Sequence, residues 1–196
     1  MRTVEVEKSP VALKRTVSSA TNLTGEDTIY SAHTNWFFHC TPTFDYELNG
    51  TRCIDSDAYE VDLTIKKVQM KISLDIEICS SAKDQSIVSP HENGHAAICK
   101  DIYDSAEKIA AQCAGSAVGH KYTGAASDAK AAQEAALNQA AEQICRHYRL
   151  ATSEKANRIS ALYDKFSESK NPLSVDECVR QAEAVDKKSS LLHNAN

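Results

Sequence analysis

"SPHENGHAAIC" (Ser89–Cys99) is the stretch on which the reading of this chain turns. His91 and His95 stand four residues apart with Glu92 directly after the first, the HExxH spacing of zinc hydrolases. The same letters spell a helix start, with Ser89 and Glu92 spaced as a capping box and Pro90 at the favoured first helical position. Both readings put a helix from about Pro90 onward. On it His91, His95, Ile98, Ile102, Ala106, Ile109 and Cys113 recur at steps of three or four, one stripe facing a core. Two imidazoles one turn apart on that stripe can aim at one zinc ion, with Glu92 as general base beside it. A helix N-terminus also favours neutral imidazole, the ligand form. The plainer alternative is two histidines ending a buried stripe, with Glu92 as a cap.

Upstream of this segment the grammar is that of strands. Val68, Met70, Ile72, Leu74 and Ile76 alternate with polar residues, so one face is buried and one wet. Tyr59, Val61, Leu63 and Ile65 alternate in the opposite phase, and the phase slips at Lys66-Lys67. A bulge in one bent strand or a tight turn between two strands accounts for the slip. Phe44, Tyr46 and Leu48 alternate before Asn49-Gly50, a dipeptide that predicts a hairpin turn.

Downstream the chain is alanine-rich and helical, and neither glycine nor proline occurs between Ala125 and Asn171. Asn171-Pro172 ends that run, and Ser174 with Glu177 opens a short last helix reaching about Val185. The segment Lys187 to Asn196 reads as frayed.

The bulk numbers exclude some classes. The net charge of −5 argues against a nucleic-acid partner, and Arg146-His147-Tyr148-Arg149 is too short a basic patch to reverse that. No apolar run approaches the roughly 20 residues of a membrane span. The 7 cysteines, with no CxxC among them, suit disulfides in an oxidising compartment. Cys40 and Cys53 flank the expected hairpin and form the leading pair; a link from Cys113 or Cys145 to another element is the second. MRTVEVEKSP lacks the apolar segment of a signal peptide, so for an exported protein Met1 stands after a removed signal.

Thr34-Asn35-Trp36, Gly50-Thr51-Arg52-Cys53, the alternating run Tyr59 to Ile78, His91-Glu92-Asn93-Gly94-His95 and Tyr163-Asp164 occur in that order. In this the chain resembles a bacterial family of predicted secreted zinc-dependent proteases built on an HExGH domain of unknown function. The resemblance implies peptide-bond hydrolysis, zinc held by His91 and His95, and Glu92 as catalytic base. The family's final histidine falls on Ser169, which is no zinc ligand. Helix-hairpin spacing offers His147 or Glu168 instead, depending on whether the chain breaks near Thr152-Ser153. His120 and His193 have weaker claims.

The expectation is therefore an α+β protein, a small antiparallel β-sheet packed against a long α-helical hairpin carrying the HExxH helix, zincin-like. It forms a single domain over 1–196, with a β-rich part at about 28–80, a helical part at about 89–170 and a short C-terminal helix at about 174–186. The expected activity is that of a zinc peptidase acting on a peptide or protein substrate in a secreted or periplasmic setting. The missing ligand motivates an alternative, an inactive relative that serves as a secreted binding protein. In a third reading the chain is a disulfide-stapled interaction protein whose His91 and His95 are structural.

Overall fold

The alternating run around Val68 lies inside one strand of 24 residues in a computed structural model that describes residues 3–18, 32–55, 58–81, 85–168 and 173–193. The elements are β1 (Val4–Lys8), β2 (Ala12–Ser18), β3 (His33–Asp55), β4 (Ala58–Ser81), α1 (Gln85–Asp104), α2 (Ala106–Gly115), β5 (Lys121–Ala126), α3 (Ala129–Ala151), α4 (Ser153–Ser167) and α5 (Val175–His193). Val61, Leu63 and Ile65 are buried in one phase of β4, then Val68, Met70, Ile72, Leu74 and Ile76 in the other. The slip at Lys66-Lys67 is thus a bulge within one strand, not a turn. It falls where β4 changes partner: β5 pairs with Tyr59–Thr64, and β1 pairs from Val68 onward.

The small antiparallel sheet expected from the sequence is not what forms. The fold is α+β around a mixed five-stranded sheet. β1 and β2 both pair parallel to β4, β5 pairs antiparallel to it, and β3 pairs it as well. Nor is there a simple helical hairpin. Ser105 interrupts the HExxH helix, β5 intervenes before α3, and the alanine-rich run breaks at Thr152. Asn49-Gly50 makes no hairpin turn, because β3 runs straight through it. Pro90 does not start α1 but sits inside it, so Ser89 and Glu92 do not form a capping box at its start. The last helix does open at Ser174, whose Oγ accepts from the Glu177 N–H at 3.3 Å, but it runs to His193 rather than ending near Val185.

The chain falls into two compact units. The first comprises Met1–Ser9, His39–Ser73 and Ser105–Ala151. In it α3 buries Ala132, Ala136, Ala140, Ile144 and Tyr148, a stripe spaced by four whose alanines let the helix approach β5 closely. A Cβ at Gly124 would run into the backbone of Ala132 and Ala136, so only glycine fits there. A disulfide ties β3 to α3 through Cys40 and Cys145, with Cα atoms 5.6 Å apart. This replaces the expected Cys40–Cys53 bridge; Cys53 takes no part in it and is exposed.

The second unit comprises Pro10–Phe38, Leu74–Asp104 and Thr152–Asn196. Here α1, α4 and α5 pack on one another around Ile98, Tyr103, Ile159, Tyr163 and Ala182. Arg158 on α4 reaches the buried Asp186 on α5 at 2.9 Å. Lys14 of β2 pairs with Glu77 of β4 at 2.8 Å across their parallel ladder. Among the described residues no helix is long and apolar enough to cross a membrane.

Candidate metal centre

The site is built entirely within the second unit, on α1, α4 and the first residues of β3. The i,i+4 spacing on α1 brings His91 Nε2 and His95 Nε2 to 3.2 Å. Asp164, near the end of α4, places Oδ1 3.3 Å from the first and 3.1 Å from the second. These three residues can hold a metal ion. Ligands at the roughly 2.0–2.1 Å of a zinc site, arranged tetrahedrally, lie about 3.3 Å apart, so the observed triangle has the right size. It supplies three donors, two imidazoles and one carboxylate.

The glycine of HExGH has a packing role. A Cβ at Gly94 would lie 2.9 Å from Tyr163 Cε2 and closer still to the end of that ring. Without it the phenol packs against both histidines, stacked on His91 and edge-on to His95, with centroids 5.0 Å away in each case. The phenol hydroxyl donates to the His91 carbonyl at 3.1 Å. Its pKa is pushed up by burial, so it stays a proton donor. Tyr163 thereby fixes the helix next to Asp164 relative to the histidine pair.

On the other side, β3 presents Thr34 and Trp36 toward the site while His33, Asn35 and Phe37 are exposed, the two-residue period of a strand. The Trp36 indole stacks over His95 at 6.0 Å and 25°, and its Nε1 donates to Asn157 Oδ1 at 3.2 Å. Thr34 Oγ1 donates to Glu92 Oε2 at 2.5 Å. Glu92, only 5% exposed, faces the same cleft of about 660 Å³ as the three donors.

The pKa of His95 is lowered, first by burial and then by His91, with Asp164 and Glu92 opposing. Its neutral, ligating form is therefore favoured. Burial does this, not the helix terminus: α1 begins at Gln85, so the histidines lie beyond its first turn, where the dipole fades.

His91, His95 and Glu92 are thus brought together as the sequence suggested. Of the candidates for a third ligand, Glu168 caps α4 and lines the cleft wall but is not one of the three converging residues. His147 lies on α3 and His120 just before β5, both in the first unit. Ser169 lies outside the described residues, and α5 ends at His193. The residue that converges is Asp164. The signal for it was the break at Thr152-Ser153, which shortens the last long helix and turns its end toward α1. Thr34 and Trp36 had carried no assigned role. Compared with protein-family models, curated proteins and solved structures, the chain matches none.

Proposed function

We propose that this chain is a zinc-dependent hydrolase of peptide bonds, with His91, His95 and Asp164 as the metal donors and Glu92 as the catalytic base. The observation that carries the reading is the convergence of two imidazole nitrogens and one carboxylate oxygen within 3.1–3.3 Å of one another beside a buried glutamate. Bound there, the ion supplies Lewis acidity, polarising a carbonyl and lowering the pKa of water. Glu92 takes the proton from the attacking water as the new C–O bond forms. It then gives that proton to the amide nitrogen as the C–N bond breaks. The roughly 660 Å³ cleft is large enough for several residues of an extended peptide.

The resemblance to secreted zinc-dependent proteases belongs to the same proposal, with Asp164 doing the work expected of the family's third histidine. The alternative of an inactive binding protein rests on a missing third ligand; in this proposal Asp164 supplies that ligand. A secreted or periplasmic setting is in keeping with the Cys40–Cys145 disulfide. Elemental analysis of protein purified without added metal should find about one zinc per chain. Peptide-library cleavage should then require zinc and vanish in Glu92→Gln, which keeps the metal. A wild type that neither retains zinc nor cleaves with zinc supplied would refute the proposal.

A further inference from the structure

We propose, building on the hydrolase reading, that Thr34 is a positioning residue that holds the Glu92 carboxylate by one oxygen and leaves the other to work on substrate. The Thr34 hydroxyl has a single proton and two nearby acceptors on Glu92, Oε2 at 2.5 Å and the backbone carbonyl at 3.3 Å. The shorter, charge-assisted bond takes the proton. Among the described residues Thr34 is the hydrogen-bond partner of the Glu92 side chain, so Oε1 is the oxygen left for proton transfer. A glutamate has three rotatable side-chain bonds, and a proton-transfer group tolerates little misplacement. The restraint comes from β3, an element separate from the helix that carries Glu92, and Trp36 two residues on packs against His95. One strand face thus sets both the base and a metal donor.

The test separates this role from packing and from the hydrolase reading itself. Thr34→Val keeps the shape and removes the hydroxyl; Thr34→Ser keeps the hydroxyl and removes the methyl. With zinc bound, Thr34→Val should lower kcat by roughly ten- to a hundredfold while KM and zinc affinity stay within about threefold, and Thr34→Ser should recover most of the loss. In metal-free protein, Thr34→Val should lower the folding equilibrium constant about tenfold with Glu92 present and less than about twofold in Glu92→Ala. Unchanged kcat in Thr34→Val, failure of serine to rescue, or no coupling to Glu92 in the metal-free cycle overturns the inference alone. No zinc-dependent cleavage by the wild type overturns the hydrolase reading and this inference with it.

Discussion

Gly94→Ala sets two opposed effects against each other at the site. Alanine in a helix interior is favoured over glycine by about 1 kcal/mol. Against that, the new methyl would press on the Tyr163 ring, which is fully buried and cannot swing into solvent. Overpacking of this kind costs about 1–3 kcal/mol. If the ring moves, its hydroxyl also leaves the His91 carbonyl, and a buried donor without a partner costs about 1–3 kcal/mol more. The unfavourable side wins once the ring moves, with a net loss of roughly 1–5 kcal/mol. Asp164 follows Tyr163 in the chain, so zinc affinity should fall at least about tenfold as well. Gly115→Ala is the control. It sits at the end of α2 with open space where the Cβ would go, and should be stabilising by about 0.5–1 kcal/mol. Urea denaturation of the metal-free proteins and a chelator competition for zinc read both effects. The reasoning is refuted if Gly94→Ala is stabilised as much as Gly115→Ala, with zinc affinity untouched.

Asp164→Asn should weaken zinc binding at least about tenfold while leaving the fold intact, read by the same competition; an unchanged affinity would remove Asp164 from the donor set. Stability of the metal-free protein should fall as pH drops below about 6.5, because the unfolded chain takes up a proton that buried His95 resists; above that pH both states are neutral and the effect vanishes. A His95→Gln variant should lose this part of the slope in urea titrations, and the same slope in both proteins would count against it. Denatured, unreduced protein should titrate five thiols, those of Cys53, Cys79, Cys99, Cys113 and Cys178. Replacing Cys40 and Cys145 by serine opens a loop spanning 105 residues and should cost up to about 4–5 kcal/mol by denaturant unfolding.

What the sequence revealed of the fold followed from how local each feature is. The alternation in β4 was legible because burial on one face imposes a two-residue period directly on the side chains. Partner choice leaves no such trace. β1 and β2 pair parallel to β4 from far away in the chain, and a parallel pair has no turn between its strands to announce it. Local turn chemistry then misled: Asn49-Gly50 permits a hairpin but does not require one, and β3 continues through it. Lys121–Ala126 was overlooked because Gly124 and two alanines leave little apolar alternation, although Gly124 is there to let α3 approach. Pro90 misled in the same way: it favours a first turn, yet an interior proline is tolerated once α1 is held by tertiary packing.

For the site, the two readings of SPHENGHAAIC make opposite demands on Glu92. As a cap it would sit at a helix start and reach back to free N–H groups. With α1 beginning at Gln85, no helix start lies there to cap. Its carboxylate is instead buried and held by a strand hydroxyl. Burying a carboxylate is costly unless positive charge or several donors offset it, and one hydroxyl is thin compensation. The surroundings deepen the deficit. Asp164 and Glu168 line the same cleft, the described residues that line it include no lysine or arginine, and His95 is pushed toward its neutral form. The buried Glu92 carboxylate beside Asp164 is a setting that a bound cation would relieve, and His91, His95 and Asp164 are the residues that could hold one. The charge of the cleft thus points the same way as the geometry of its donors, to a cluster that could hold a metal ion.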